Sequence, residues 1–247
     1  CSDASTCGDG EAKLFIVYLD GPVGGVWNKG LQYHKISTGA GNTTKRNGLF
    51  APRLVDLNAD GATDFVYAGD LHGNVWRFDL RGKMASGWKG KALFKGDSKQ
   101  PITVRPTVTS APSSVTAFRS SPDTPGVMVL VGTGTFIEPG DKALVHGQYF
   151  LGLYDSGKEI TGGLSGLAKQ SFDAKATGNN RVTKSSLVVD YSTGKKSGWY
   201  IELKDLGERV VSPARVRHGH ILFNSIIPDR SECSSSGIGW EWLVQIG

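Results

Sequence analysis

Residues 56 to 64 read Asp56-Leu57-Asn58-Ala59-Asp60-Gly61-Ala62-Thr63-Asp64, with oxygen-bearing side chains at alternate positions, a glycine at the sixth and a carboxylate at the ninth. A hard cation such as Ca2+ takes about six to eight oxygen ligands at roughly 2.3–2.6 Å, and a tight loop supplies them by turning its first, third and fifth residues inward. Those residues are Asp56, Asn58 and Asp60. Gly61 stands where the sharp turn falls, the main-chain carbonyl of Ala62 takes the seventh position, and Asp64 closes the shell with a water completing it. Three carboxylates in so short a loop repel one another, and a bound cation offsets that repulsion, so folding of the loop and metal binding are coupled.

Asp, Asn and Gly favour turns on their own account, but a plain acidic turn requires neither the alternation nor Asp64. An EF-hand requires a glutamate at the twelfth position, where this chain has Tyr67, and a helix on each flank. The flanks are instead Arg53-Leu54-Val55 and Phe65-Val66-Tyr67-Ala68, short β-prone runs, so the cation pins a connection between two strands.

The elements that position this loop are strands throughout. Thirty-four glycines, ten prolines and short runs of Val, Ile, Tyr, Phe and Trp between turn clusters predict an all-β chain. Ile16-Val17-Tyr18 and Phe65-Val66-Tyr67 are each followed by a glycine (Gly24, Gly73) and then by Val26-Trp27 and Val75-Trp76. This repeat of strand, glycine-rich turn and strand has the period of a four-stranded propeller blade. Further strands are expected at 127–131, 148–154, 198–203 and 220–227, and the spacing gives about five blades in an incomplete ring. One unit over residues 1–247 is expected, with insertions at 81–114 and 161–186, the second carrying a short helix.

Composition narrows the function classes. Hydrophobic residues at 38% and charged residues at 21% describe a globular chain, and no apolar run reaches the roughly 20 residues of a transmembrane helix. The net charge of +5 is dispersed, with Lys83, Lys89, Lys91, Lys95 and Lys99 in one polar stretch. No nucleic-acid reading element or stacking platform accompanies it, whereas an acidic partner surface is compatible with it. Cys1 and Cys7 can close a small loop in an oxidising compartment, leaving Cys233 to pair outside this sequence; four zinc ligands are not available. The start at Cys1 reads as a mature product or an excised piece of something longer.

No catalytic grouping emerges. Gly162-Gly163-Leu164-Ser165-Gly166 lacks the nucleophile-elbow order, Gly194-Lys195-Lys196-Ser197 lacks the leading P-loop glycine, and Gly132-Thr133-Gly134 lacks the third glycine of a dinucleotide site. Asp70 reads as a turn residue, the six tryptophans as packing between blades, and His218 with His220 as hydrogen-bonded surface residues without a third ligand.

Val55 through Gly61, then Asp64, Tyr67-Ala68-Gly69-Asp70-Leu71, Gly73-Asn74 and Trp76-Arg77-Phe78-Asp79-Leu80 resemble the C-terminal domain of the PilC/PilY family of type IV pilus biogenesis factors and tip adhesins. The resemblance continues in Pro101-Ile102-Thr103, Arg105-Pro106, Val131-Gly132-Thr133-Gly134, Gln148-Tyr149-Phe150, Leu153-Tyr154-Asp155 and Gly207-Glu208-Arg209-Val210-Val211. It ends in Ile227-Pro228, Cys233, Gly237, Gly239 and Trp240, and so covers about residues 13–247. It implies a modified, quinoprotein-like β-propeller without enzymatic activity, with Ca2+ on Asp56, Asn58, Asp60, the Ala62 carbonyl and Asp64. It also implies a calcium-dependent brake that supports pilus extension and opposes retraction, major and minor pilins and a surface or host-cell receptor as partners, and a place in the envelope or at the pilus tip. The integrin motif Arg-Gly-Asp of some members is absent, so the resemblance does not extend to integrin binding. Two other classes share parts of the pattern: an integrin-like calcium-stabilised propeller, which repeats the loop in several blades, and a quinone-dependent dehydrogenase, which shares the Gly-Trp repeat.

Overall fold

The computed structural model describes residues 8–82, 85–111, 115, 124–171, 188–192, 195–231 and 236–245, and these form fourteen strands in four sheets. The first sheet pairs β1 (Glu11–Val17) with β2 (Tyr33–Gly41); the second runs in order through β3 (Arg53–Val55), β4 (Phe65–Gly69), β5 (Val75–Asp79) and β6 (Lys89–Phe94). The third holds β7 (Thr107–Ser110), β8 (Val127–Gly132), β9 (Gln148–Asp155), β10 (Ala168–Gln170) and β11 (Gly198–Leu203), and the fourth holds β12 (Arg215–Arg217), β13 (His220–Pro228) and β14 (Gly237–Gln245). Apart from β10 and β11, which run parallel, neighbouring strands are antiparallel.

Runs such as Phe65-Val66-Tyr67-Ala68 and Val127-Met128-Val129-Leu130-Val131 lack in–out alternation because both faces of their sheets are covered. Alternate residues of one strand enter different cores. On β8, Val127, Val129 and Val131 pack with Phe65 and Tyr67 of the second sheet, whereas Met128 and Leu130 pack with Ile221 and Phe223 of the fourth. On β4, Val66 and Ala68 turn the other way and meet Leu14 and Ile36 of the first sheet. The sheets therefore stack face to face as blades, with Phe150, Phe223 and Trp242 stacked in series at 3.8 Å and 5.3 Å between centroids. Strand β2 lies against β6, and the first strands β3, β7 and β12 meet in turn, which is the order of blades around a ring. Among the described residues no strand of the first sheet pairs with the last, consistent with an incomplete ring.

Several expectations change. Four sheets stand where spacing gave about five blades, because β10 adds to β11 at the edge of the third sheet instead of starting a blade. Within 81–114, expected as an insertion, the described residues hold β6, the last strand of the second sheet, and β7, the first of the third. Its lysines hid the buried Ala92-Leu93-Phe94. Within 161–186, residues 161–171 hold a 3-10 turn (Gly163–Gly166) and β10, while 172–186 lie outside the described residues, as do all three cysteines. The repeat is a true hairpin at 65–79 but not at 16–27, where β1 pairs with β2 and Val26 makes only an isolated bridge to Val23. Trp27 is accordingly 47% exposed, whereas Trp76, Trp199 and Trp242 are buried as expected.

Candidate metal centre

The loop 56–64 joins β3 to β4 and is clamped at its base. Asp64 donates its N–H to the Val55 carbonyl at 2.9 Å and accepts the Leu80 N–H on its own carbonyl at 2.9 Å, which ties the loop's exit to strands β3 and β5. Inside the loop the acidic side chains turn toward main-chain donors, as short polar side chains do in turns. Asp56 accepts the N–H groups of Ala59 (2.7 Å) and Gly61 (2.8 Å), Asn58 Oδ1 that of Asp60 (2.9 Å), and Asp60 that of Ala62 (2.8 Å). Asp64 Oδ2 reaches across the loop to the Leu57 N–H at 2.8 Å. Gly61 has a φ of 88°, the left-handed geometry that its position in the spacing requires, and Ala59 shares it at 60°.

Asp64 is 9% exposed, and its Oδ1 accepts no hydrogen bond among the described residues. Neither Asp56, Asp60 nor Asp64 has a cationic partner among them, and the Ala62 carbonyl accepts no hydrogen bond there. Uncompensated charge of one sign, presented wholly by hard oxygen donors on a loop held at both ends, fits calcium by donor chemistry. The donors are not gathered into a finished cage: no three His, Cys, Asp or Glu side chains among the described residues converge closely enough to hold a metal ion. Carboxylates released from their N–H partners, or sharing them through a second lone pair, are what such a loop contributes.

Other residues singled out by sequence serve the fold. Asp70, fully buried, accepts Asn47 Nδ2 (2.8 Å), Asn74 Nδ2 (2.8 Å), Trp76 Nε1 (2.7 Å) and the N–H groups of His72 (2.9 Å) and Asn74 (2.8 Å), so it is the hub of the β4–β5 turn. His218 and His220 flank the β12–β13 turn, where a His220 ring nitrogen lies 2.9 Å from the His218 carbonyl. Sequence reading missed the buried charges between blades. Asp155 of β9 accepts the Tyr67 hydroxyl at 2.8 Å and pairs with Arg77, whose guanidinium also reaches the Gly157 carbonyl at 3.1 Å. Burial pushes the Asp155 carboxyl up against the opposing pull of Arg77, and burial beside that carboxylate pushes the Tyr67 hydroxyl up. Arg209 is buried too. Its guanidinium donates to the carbonyls of Gly207, Thr135, Asp141 and Leu144, with burial drawing its pKa down. A charged residue directly after a long apolar run, as Asp155 follows Leu153-Tyr154, was the only signal in the sequence.

Comparison with known proteins agrees with this architecture. A family model described as the PilY1 beta-propeller domain matches residues 2–184. A type IV pilus biogenesis factor PilY1 homolog of Xylella fastidiosa is 28% identical over 218 residues, covering 80% of this chain and 14% of its own length. The type IV pilus biogenesis factor PilY1 of Pseudomonas aeruginosa strain PAO1 is 29% identical over 247 residues, covering 82% of this chain and 21% of its own. The chain thus spans between 14% and 21% of the length of these relatives. The crystal structure of the Pseudomonas aeruginosa PilY1 C-terminal domain superposes with a TM-score of 0.67 at 24% identity over 86% of this chain and 50% of that one, a likeness of fold.

Proposed function

The chain belongs to the PilY1 β-propeller family, and from that premise we propose that it is the calcium-binding regulatory propeller of a type IV pilus biogenesis protein, in which calcium occupancy supports pilus extension and opposes retraction. Association with pilins, contribution to surface or host-cell adhesion, and a location at the pilus or outer envelope belong to the same reading. The names of the relatives support the pilus assignment. The observation that supports calcium is the set of three carboxylates in one loop without an ion-pair partner among the described residues, on a loop whose exit is bonded to Val55 and Leu80.

In this reading Asp56, Asn58, Asp60, the Ala62 carbonyl and Asp64 hold the ion. When bound, calcium supplies a divalent charge that removes the mutual repulsion of the carboxylates. Asp64 carries the effect into the fold, because its main chain is bonded to both Val55 and Leu80. Fixing its side chain fixes the β3–β4 connection on the flank of the second blade. The reading is non-enzymatic and needs no proton transfer.

Calorimetric titration of the chain with Ca2+ tests it. One equivalent binds, Asp60→Ala and Asp64→Ala each abolish the heat, and circular dichroism of both variants stays that of the parent. Undiminished binding by both variants refutes the site, and unaltered pilus extension in cells carrying a non-binding variant refutes the regulatory role.

A further inference from the structure

The lysine-rich stretch noted in the sequence has a structural counterpart that the calcium loop does not absorb. A cleft of about 740 Å³ opens between β2, β5, β6 and the turn after β9, lined by Arg77, Lys91, Lys95, Lys158 and a single acid, Glu159. A second cavity of about 440 Å³ shares Arg77 and Lys91 and adds Arg81, Lys89 and Asp79, so the two form one groove along the face of the second sheet. Arg77 is neutralised by buried Asp155, Arg81 by Asp79 at 2.7 Å, and Lys95 by Glu159 at 3.0 Å. Lys89, Lys91 and Lys158 have no ion-pair partner among the described residues.

Among the described residues these three charges are not met by fixed carboxylates in the groove. Lys91 is directly opposite Arg77 across the β5–β6 pair, and the Asp155 carboxylate that pairs with Arg77 is fully buried. Lys89 is opposite Asp79, which is engaged by Arg81 instead. Lysines on an edge strand discourage edge-to-edge pairing, and that accounts for Lys89 and Lys91 on β6. It does not account for Lys158, which comes from the turn of the neighbouring sheet into the same groove.

We propose that this groove docks an extended acidic peptide segment of a partner protein. The cations are spread along two adjoining cavities rather than converged on one point, which suits a chain of carboxylates better than a single small anion. Sugar rings and nucleobases need aromatic faces to stack on, and among the described residues the only aromatic one lining the groove, Trp76, is 6% exposed. Thr38, Gly39 and Ala40 bring main chain to the rim, where an extended peptide finds backbone partners. No residue of the 56–64 loop lines the groove, so this inference stands apart from the calcium reading.

Fluorescence anisotropy with a labelled oligoglutamate peptide tests it on the full chain. The peptide binds, an oligoglutamine of equal length does not, and affinity falls steeply with salt. The charge reversal Lys89→Glu with Lys91→Glu and Lys158→Glu weakens binding by at least about tenfold, given the modest worth of each exposed pair. The same reversal at lysines outside the groove's lining, Lys29→Glu with Lys169→Glu and Lys204→Glu, matches its net charge and leaves most of the binding. Should the triple reversal misfold, Lys91→Gln with Lys158→Gln replaces it with the same expected order. Equal losses from the groove set and the set outside it, no binding by the parent, or tighter capture of a polyuronate or duplex DNA than of the peptide each overturn the proposal.

Discussion

Asp141 shows how single carboxylates are used outside the loop. It accepts the Thr135 hydroxyl at 2.9 Å and the N–H groups of Ile137 and Glu138 at 2.7 Å and 3.1 Å, closing the turn that its own carbonyl joins to Arg209. Burial pushes its pKa up, but these donors together pull it further down, to a net position below the ordinary 3.8. A carboxyl with a depressed folded pKa stabilises the fold in full above its unfolded pKa and loses that contribution as pH falls through the folded one. Asp141→Asn therefore lowers the melting temperature at pH 7 by an amount worth at most about 1 kcal/mol after solvent screening, and the gap to the parent closes below about pH 4. A gap that stays constant from neutral to acid pH refutes the assignment. The loop aspartates differ from the rest in their partners: Asp70, Asp141 and Asp155 are satisfied by donors or cations fixed elsewhere in the fold, whereas Asp56, Asp60 and Asp64 accept hydrogen bonds from their own loop.

Strands β8, β9 and β11 show why glycine matters at one blade face. Gly152 is opposite Trp199 in the β9–β11 register, and a Cβ there meets the indole at 2.3 Å. The indole is packed against Phe150, at 6.1 Å between centroids, and has little room to give. Gly152→Ala is expected to cost about 1–3 kcal/mol by overpacking, at roughly 2–4 °C of melting temperature per kcal/mol for a chain of this size. Combining it with Trp199→Phe costs less than the sum of the two single changes, and strict additivity in thermal melts refutes the contact. Elements of this kind were legible in sequence where apolar runs were long: 127–131, 148–154, 198–203 and 220–227 all fall in strands. The β1–β2 pair, β6 and β14 were not. Their residues alternate between sheet and solvent or carry lysine, and which run pairs with which is decided by blade stacking rather than by local pattern. The hairpin at 65–79 and the false one at 16–27 share the same residue types, and only the first has a neighbouring sheet on each face.

At the scale of the molecule, the blades are joined by shared apolar cores and by buried polar contacts, so a change at one connection is felt by its neighbours. Val210 donates its N–H to the Thr133 carbonyl at 3.0 Å, Thr107 its hydroxyl to Ala214 at 2.6 Å, and the Tyr67–Asp155–Arg77 network crosses from the second sheet to the third. The 56–64 loop joins the first two strands of that second sheet, its last residue one position from buried Phe65 and three from Tyr67. Its residue types and spacing were readable without a fold; that its carboxylates would be turned to the loop's own N–H groups was not, since that depends on the clamp set by Val55 and Leu80. If the loop is loaded in the native state and released on unfolding, calcium at about a hundred times its dissociation constant adds roughly 2.7 kcal/mol of stability, or about 5–10 °C. Adding a chelator returns the melt to its starting point, and Asp64→Ala melts at one temperature with or without the ion. A parent chain whose melting is indifferent to calcium sinks the coupling of metal to blade. A shift that persists in Asp64→Ala moves the ion to another part of the ring.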